Sequence, residues 1–414
     1  MNIRARMVIP RAGQLLEDAV VRVDGVRIAE VCPTKAWRQS GGKIDRDLGE
    51  VLLMPGLINA HCHLDYTLMR GALLGPTTFA EWIQRLNAIR RSVSIDDIAS
   101  SISKGFQESA RFGTTLVGNI ESYPEVLEKL VPPPIRTIWF YELIDIRRTM
   151  PSEQLIEGAL RFYEQHPGWL GGVGLSPHAP YTASLPLYQQ AAETGRRLKL
   201  PMTTHLGESP EETEMFQNGR GPLFEFLSRI GRSMKDCGGG QGSPLRRLAE
   251  AGVLDRDWLV AHLNEIAEAD WPLLEPGGPL SGLGVVHCPQ SHEFFGHRPF
   301  SLERLVGAGC RVCLGTDSLA TGRELNLFRE MALAKKYHPR LRPERLLAMV
   351  TTIPAGLLGY EDRLGVLQTG AYADLTAVTY AGSPEDACWS LCDAFRKSVF
   401  TMCGGQIVFE SHPA

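Results

Sequence analysis

The sequence lacks several features that would place it in large classes of protein. No apolar stretch reaches the length of a transmembrane helix, and the first 20 residues have no sustained apolar core and no small-residue cleavage site. A membrane span and a secretory signal are therefore not expected. The 43 basic and 47 acidic residues nearly cancel to a formal net charge of -4, so neither nucleic acid nor an anionic membrane is an expected partner.

Paired cysteines and nucleotide-binding motifs are also missing. The nine cysteines are dispersed and form no C-x-x-C pair, which is typical of reduced thiols in a cytoplasmic protein. Neither G-x-G-x-x-G nor G-x-x-x-x-G-K-[ST] occurs, which argues against a nucleotide-binding fold. The hydrophobic content of 43% and the charged content of 22% are ordinary for a globular protein, and 414 residues suffice for one large domain or two.

Short apolar runs alternate with amphipathic segments through the middle of the chain, a pattern typical of parallel β–α units. The predicted strands span 52–60, 114–120, 135–143, 171–176, 200–205, 258–263, 283–288 and 310–316. The predicted helices between them span 93–112, 152–165, 185–198, 210–230, 244–252 and 301–308. Eight such units predict an α/β fold, a distorted (β/α)₈ TIM-type barrel. A doubly wound open sheet is the alternative, which the missing nucleotide motifs disfavour.

The two chain ends differ from the middle. Both contain short alternating apolar segments and turn residues, which is typical of β structure. We expect residues 1–52 and 364–414 to pair into one small β-sandwich domain, and residues 53–363 to form the barrel.

Two histidines lie one residue apart in the stretch "MPGLINAHCHLDYTLMRG". Side chains two apart on a strand share a face, so His61 and His63 project together if the segment is extended. Cys62 then faces the opposite side, where packing is its expected role. Alone, such a pair is more often a core histidine and a solvated one than half of a metal site.

Other polar residues favour a metal site over a pair of unrelated histidines, because they too follow predicted strands. Of the 11 histidines, seven lie at or just past a strand end, and an aspartate follows the last strand. These residues are His61, His63, His178, His205, His262, His287, His292 and Asp317. Since the carboxyl ends of barrel strands face the active site, this distribution predicts a metal centre there.

Three imidazoles and one carboxylate suit a catalytic zinc ion. The candidate ligands are His61, His63, His205 and Asp317. Such a metal lowers the pKa of bound water toward neutrality, and a nearby carboxylate is then needed to move protons. Glu208, three residues after His205, is the candidate for that role. Glu211 and Glu212 instead fit solvated acids that favour the start of a helix.

The ordered motifs resemble the amidohydrolase superfamily. They read "PGLINAHCHLD", "SPHAPYT", "THLGES", "VAHLNE", "HCPQSH" and "LGTDS", followed by "LGVLQTGAYADL". The resemblance is to the branch of cytosine, guanine and S-adenosylhomocysteine deaminases and triazine chlorohydrolases, and it covers essentially the whole chain. It implies a metal-dependent cytoplasmic aminohydrolase, a homodimer, that deaminates an amino-substituted aromatic heterocycle of purine, nucleoside or pterin type and releases ammonia.

The resemblance also implies residue roles. The four candidate ligands match the family's metal ligands, and Glu208 matches the acid that carries protons to the substrate ring. His262 matches a histidine that hydrogen-bonds the attacking hydroxide or the substrate, and His178 one that contacts the substrate. Asp317 would also take a proton from the attacking water. The stretch "GGVGLSPHAPYT" has no lysine that could be carboxylated to bridge two metals, so one zinc ion is expected, with iron or manganese as alternatives.

Two stretches depart from the branch. The loop "HCPQSHEFFGHRPF" replaces an asparagine of adenosine-type deaminases with Cys288 and introduces His292, a candidate substrate contact. The stretch "FAEWIQRLNAIRRSVSIDD" resembles the helix that lines the cleft but lacks the late glutamate of ribose-binding members. Arg148 is a candidate to bind a substrate carboxylate, as are Arg90, Arg91 and Arg147. A carboxylate-bearing aminopurine nucleoside such as aminodeoxyfutalosine would fit these arginines.

Other functions use the same residues. Hydrolytic removal of chloride or an alkylamine from a triazine-like ring requires the same attack by water, and so does ring-amide hydrolysis of the imidazolonepropionase type. A non-catalytic scaffold is disfavoured because all four candidate ligands and Glu208 are present.

Overall fold

The structure is a computed structural model, and it describes residues 1–411 except 74, 76, 77, 147–150 and 165–167. The predicted substrate contact Arg148, and Arg147 beside it, lie outside the described residues. None of the helices within the described part of the chain is long and apolar enough to cross a membrane.

Strands and helices alternate through the middle of the chain, as predicted. The strands are β1 (Asn2–Val8), β2 (Leu16–Asp24), β3 (Arg27–Pro33), β4 (Arg46–Asp47), β5 (Val51–Pro55), β6 (Leu57–His63), β7 (Thr114–Glu121), β8 (Arg136–Leu143), β9 (Gly171–Pro177), β10 (Met202–Leu206), β11 (Trp258–His262), β12 (Gly284–His287), β13 (Arg311–Leu314), β14 (Asp317–Ser318), β15 (Leu375–Thr379), β16 (Phe400–Cys403) and β17 (Gln406–Glu410). The helices are α1 (Thr34–Gln39), α2 (Phe79–Arg90), α3 (Ile95–Arg111), α4 (Ser152–Glu164), α5 (Leu185–Leu198), α6 (Pro210–Asn218), α7 (Pro222–Arg229), α8 (Met234–Cys237), α9 (Pro244–Glu250), α10 (Trp271–Leu274), α11 (Pro289–Phe295), α12 (Leu302–Gly307), α13 (Leu327–Tyr337), α14 (Pro343–Ala348), α15 (Thr352–Leu357) and α16 (Ala387–Ser390).

The barrel is a parallel sheet that closes on itself. Strands β6 to β13 pair in chain order, and β14, which directly follows β13, pairs with β6. The closure is fixed by Asn59, which donates to the Thr316 hydroxyl at 2.8 Å and accepts from the Thr316 backbone N–H at 3.1 Å. Only glycine fits at position 315, because a Cβ there would lie 2.7 Å from the backbone oxygen of His61. The predicted barrel is confirmed.

The predicted boundaries need two corrections. The first predicted strand, 52–60, is two strands: β5 belongs to the sheet of the chain ends, and β6 starts the barrel. The chain changes sheets at Gly56, where a Cβ would overlap the side chain of Thr115. The predicted helix 210–230 is also two helices, because Gly219 and Gly221 adopt positive φ angles and Pro222 begins α7.

The second sheet joins the two chain ends. Its strand order is β17-β16-β15-β5-β1-β2-β3, with β4 beside β1, and its central pair is β5 against β15. A separate core of residues such as Ile3, Val21 and Phe400 packs on it. The small domain built from both chain ends is therefore present, whereas its boundaries at 52/53 and 363/364 stay a prediction.

Candidate active site

The histidine pair lies on β6, as the alternation of the strand predicts. His61 and His63 project toward the barrel interior with ring centroids 5.1 Å apart. Cys62 faces the other way and is buried in a cluster with Leu64 and Ile98. The packing role expected for Cys62 is therefore confirmed.

The other candidate residues lie at the carboxyl ends of neighbouring strands. His205 is on β10, His178 directly follows β9, His262 ends β11, and Asp317 begins β14. His262 has a φ of 71° and Asp317 a φ of 53°, a left-handed conformation that is uncommon for residues other than glycine. Such strain is typical of functional sites, where the surrounding structure holds a side chain in a required direction.

Four side chains converge on one point. His63 Nε2 lies 3.2 Å from His205 Nε2. Asp317 Oδ1 lies 3.8 Å from His61 Nε2 and equally far from His63 Nε2. All four residues are buried, the most exposed at 6%. The structure therefore brings the four predicted ligands together in one buried cluster, and their role as metal ligands stays a prediction.

This cluster fits a metal ion. Both ring nitrogens of His61 and Nδ1 of His63 are buried without a hydrogen-bond partner among the described residues, which costs free energy unless another group meets them. Two nitrogens bound at about 2.0–2.1 Å to one tetrahedral ion lie about 3.3 Å apart, close to the separation of His63 and His205. Three imidazoles with one carboxylate are a donor set that zinc and similar divalent ions prefer.

Burial also keeps the imidazoles neutral. It is the largest cause that lowers the pKa of His61 and of His63 well below 6.5, and neighbouring histidines add to the effect. The pKa of His205 falls to about 3, again mainly through burial. Neutral rings keep the lone pairs that a metal requires.

Glu208 lies beside the cluster without joining it. Its Oε1 is 3.6 Å from His262 Nε2. Burial, followed by the charges of Asp317 and Glu212, raises the pKa of Glu208 well above 4.5. Burial lowers the pKa of His262 to about 3. In both groups burial therefore disfavours the charged form.

Glu212, which we expected to be solvated, holds the loop that carries Glu208. Glu212 is 1% exposed and accepts the backbone N–H groups of Gly207 and Glu208 at 3.1 and 2.9 Å. Glu211 accepts the N–H groups of Phe79 and Ala80 at the start of α2. Both acids lie in the first turn of α6, as expected. The expectation that they are solvated was wrong, because their carboxylates accept backbone N–H groups of the Glu208 loop and of α2.

Asp317 is oriented by hydroxyl groups. The Thr321 hydroxyl donates to Asp317 Oδ2 at 3.2 Å, and the Ser291 hydroxyl also hydrogen-bonds this carboxylate. Burial is the largest influence on the pKa of Asp317 and raises it, whereas these hydrogen bonds oppose the rise. Oδ1 of the same carboxylate faces the imidazoles of His61 and His63.

A cavity of about 250 Å³ opens over the cluster. His178, Glu208 and His262 line it together with polar Arg90 and Glu142. Its apolar walls include Phe79, Trp82, Leu86, Ile144, Phe226 and Ile230. Its size and mixed lining suit a flat heterocycle with a substituent.

The stretch 287–300, which carries His292, packs against the apolar wall of the cavity. Phe295 packs against Phe79 and Trp82 with ring centroids 5.5 and 5.2 Å away. His292 is not among the described residues that line the cavity. Its Nδ1 lies 3.1 Å from Asn264 Oδ1. Asn264 in turn donates to the backbone carbonyl of Glu208 at 2.9 Å. The structure thus connects His292 to the loop of Glu208, whereas its substrate contact stays a prediction.

Glu142 lines the cavity, although the sequence pattern did not single it out as a site residue. It lies near the end of β8, one residue inside a predicted strand that carried no histidine. The rule that strand ends face the site, applied to carboxylates as well as histidines, would have found it. Asn59 gave no comparable signal, because its partner Thr316 is 257 residues away.

The fold and the site together define a metal-dependent hydrolase barrel. The sequence profile of the Amidohydrolase family matches residues 52–408, and the chain belongs to this family. The family is metal-dependent, which agrees with the buried histidine–aspartate cluster. The predicted superfamily and the predicted hydrolysis of carbon–nitrogen bonds are confirmed.

Two relatives and one solved structure that are similar to this chain are deaminases. The chain is 29% identical over 382 residues to a 5-methylthioadenosine/S-adenosylhomocysteine deaminase of Pyrococcus furiosus, covering 89% of this chain and 82% of the relative. It is 28% identical over 332 residues to an aminodeoxyfutalosine deaminase of Deinococcus radiodurans, covering 76% and 75%. An adenosine deaminase from Xanthomonas campestris with bound zinc shares the fold, with a TM-score of 0.80, 23% identity and coverage of 98% and 92%. The predicted deaminase class is confirmed.

Proposed function

We propose that this chain is a mononuclear zinc-dependent deaminase of adenosine-type nucleosides. The observation that carries the proposal is the convergence of the four candidate ligands, with Glu208 and His262 directly beside them in the wall of the cavity. The relatives from Pyrococcus furiosus and Deinococcus radiodurans support a nucleoside substrate.

His61, His63, His205 and Asp317 would hold the metal. When bound, a zinc ion acts as a Lewis acid and lowers the pKa of a water molecule toward neutrality. The absence of a lysine at the end of β9 supports one ion rather than two.

Glu208 and Asp317 move the protons of the reaction. Glu208 takes one proton from the attacking water and gives it to the ring nitrogen next to the reacting carbon. The water oxygen bonds to that carbon, which becomes tetrahedral. Asp317 takes the second proton and passes it to the amino group, so that the carbon–nitrogen bond breaks and ammonia leaves. The product keeps the first proton on its ring nitrogen.

His262 and the cavity walls orient the reactants. His262 Nε2, 3.6 Å from Glu208, is placed to accept a hydrogen bond from the attacking water. Phe79, Trp82 and Leu86 exclude bulk water and pack on the flat faces of the substrate. Each of these roles requires a buried site, which the low exposure of the polar residues provides.

The test is ammonia release from zinc-loaded protein. The panel contains 5-methylthioadenosine, S-adenosylhomocysteine, adenosine and aminodeoxyfutalosine, with adenine, guanine, cytosine, a pterin and amino- and chlorotriazines as comparisons. We expect release from the nucleosides, and almost none from Glu208→Gln, which should keep its zinc. Metal content, measured by mass spectrometry on both proteins, separates loss of chemistry from loss of metal.

Other outcomes would replace the proposal. Ammonia from free bases or pterins alone would move the substrate class within the deaminases. Chloride or alkylamine release from triazines, or opening of a ring amide, would assign one of the two alternative reactions. The native metal, the homodimer, the cytoplasmic location and a substrate contact by Arg148 stay predictions, and metal analysis and light scattering address the first two.

A further inference from the structure

Glu208 lies on a short loop between β10 and α6, and the side chain of Glu212 folds back onto this loop. Ser209 is the N-cap of α6, and its hydroxyl accepts the N–H of Glu212 at 3.2 Å. In a capping box, the acid at this third helical position returns to the backbone of the N-cap residue. Here it reaches further back, and its two oxygens accept the N–H groups of Gly207 and Glu208. One buried carboxylate therefore holds both amides of the loop.

The two carbonyls of the same loop are held by the stretch 263–265, which follows β11. The backbone N–H of Glu265 donates to the Gly207 carbonyl at 2.9 Å. The side chain of Asn264 donates to the Glu208 carbonyl, also at 2.9 Å. All four backbone polar groups of Gly207 and Glu208 thus have partners, which leaves the loop no free group to exchange for another arrangement. The direction of the Glu208 side chain is therefore fixed through its backbone.

Glu211, the residue before Glu212, holds a different element. Its carboxylate accepts the N–H groups of Phe79 and Ala80, the first two residues of α2. A helix cannot satisfy these N–H groups internally, so an acceptor from outside determines where its first turn lies. This turn carries part of the apolar wall of the cavity, since Phe79 and Trp82 both line it. Glu211 therefore fixes the end of α2 that bears the aromatic side chains.

We propose that Glu212 and Glu211 are positioning residues with separate roles: Glu212 directs Glu208 for proton transfer, and Glu211 holds the α2 wall against the substrate. The inference rests on the proposed function, because that function gives proton transfer to Glu208 and contact with the flat ring to α2. Neither acid is among the described residues that line the cavity, so each acts through the backbone that it holds. A proton carrier misplaced by about 1 Å costs rate, whereas a displaced wall costs binding.

Glutamine at either position tests this separation, because its amide oxygen replaces one acceptor while its NH₂ group faces the second N–H. The assay uses zinc-loaded protein and the nucleoside that releases ammonia fastest in the panel above. We expect Glu212→Gln to lower kcat about 100-fold and to change KM less than about threefold. Glu211→Gln should raise KM about tenfold and change kcat less than about threefold. Glu193→Gln, an exposed carboxylate on α5, is the matched control and should change neither value.

A double variant separates positioning from damage to the fold. If Glu212 acts through Glu208, Glu212→Gln should lower the residual kcat of Glu208→Gln by less than about threefold, because the group that it directs is already gone. A general weakening of the fold would lower kcat equally in both backgrounds. A loss in the Glu208→Gln background as large as in the wild type would therefore overturn the inference, and so would the same loss of kcat from Glu211→Gln and Glu212→Gln.

Amide hydrogen exchange tests the same contacts without turnover. In zinc-loaded Glu212→Gln, the amides of Gly207 and Glu208 should exchange at least about tenfold faster than in the wild type, whereas those at the start of α2 should be unchanged. Glu211→Gln should show the reverse pattern. This reciprocal pattern supports the two positioning roles even if the wild type releases no ammonia and the proposed function fails. Faster exchange at both pairs of amides in each variant, or at neither pair, would overturn the inference.

Discussion

Two buried polar clusters lie at opposite ends of the barrel, and they are built differently. At the amino end, Arg136 at the start of β8 donates to both carboxylate oxygens of Asp374 at 3.3 and 3.0 Å. The Gly404 backbone N–H donates to the same carboxylate at 2.8 Å. At the carboxyl end, the buried nitrogens of His61 and one of His63 have no partner among the described residues.

The difference separates polar groups that hold the fold from those that serve a ligand. A buried ion pair is tolerated only when its charges are paired and hydrogen-bonded, and the Arg136–Asp374 pair meets this condition while joining the barrel to the second sheet. In the histidine cluster, three buried nitrogens lack a partner among the described residues unless a metal is bound. The two clusters should therefore respond oppositely to metal removal and to substitution.

Metal removal should have the largest effect. Chelation should reduce ammonia release by more than about 1,000-fold, because the chain alone has no group that activates water to this extent. Addition of zinc should restore activity and raise the melting temperature, since the ion binds only the folded state. Ammonia assays and calorimetry on the same sample check this, and an active metal-free protein would contradict it.

Glu208→Gln should come next. We expect kcat to fall by about 10²–10⁴-fold, the usual contribution of a general acid–base group. The zinc content and the melting temperature should stay near the wild-type values, because Glu208 is not among the four convergent ligands. Steady-state kinetics and metal analysis measure the two properties separately. Loss of zinc in proportion to loss of activity would show that Glu208 is a ligand instead.

Asp374→Asn should act on stability alone. It leaves the Arg136 guanidinium buried with an incomplete partner, so the free energy of unfolding should fall by about 3–5 kcal/mol. The kcat/KM of the folded fraction should change less than about twofold, since the pair is at the other end of the strands. Urea unfolding measures the first quantity. The matched control is Glu268→Gln, which removes an exposed partner of Arg304 and should leave the free energy of unfolding close to the wild-type value.

The smallest effect should be a dependence of stability on pH through Glu330. Burial is the main cause that raises the pKa of this carboxyl to about 8, and hydrogen bonds from Gln290 oppose the rise. The folded state then holds a proton that the unfolded state releases, so this contribution is present below the unfolded pKa of about 4.5 and lost as pH rises toward 8. Between pH 6 and pH 8 the loss should be about 2 kcal/mol.

Urea unfolding of the wild type and of Glu330→Gln at both pH values tests this expectation. The variant should lose less stability than the wild type over the same interval, because glutamine does not titrate. Equal losses in the two proteins would show that Glu330 does not contribute to the dependence.

The sequence predicted the parts of the site that depend on direction along a strand. His61 and His63 share a face because side chains alternate, and His205, His262 and Asp317 meet because barrel strands end at one face. It did not predict partners that meet through lateral packing, such as Glu212 with the backbone of Glu208. Nor did it predict that the run 52–60 is two strands in different sheets. The chain changes sheets at Gly56, and this break depends on close contact with Thr115 on β7 and not on local strand propensity.

The closure of the barrel has a consequence for biosynthesis. Asn59 and Thr316, which join the first barrel strand to the last, are separated by 257 residues. His61 and Asp317 lie directly beside this junction, so a nascent chain holds an incomplete set of ligands until its final barrel strand has left the ribosome. Acquisition of the ion is thus a late event in the maturation of the chain, and a truncated product that ends before residue 317 would be released without a complete binding site.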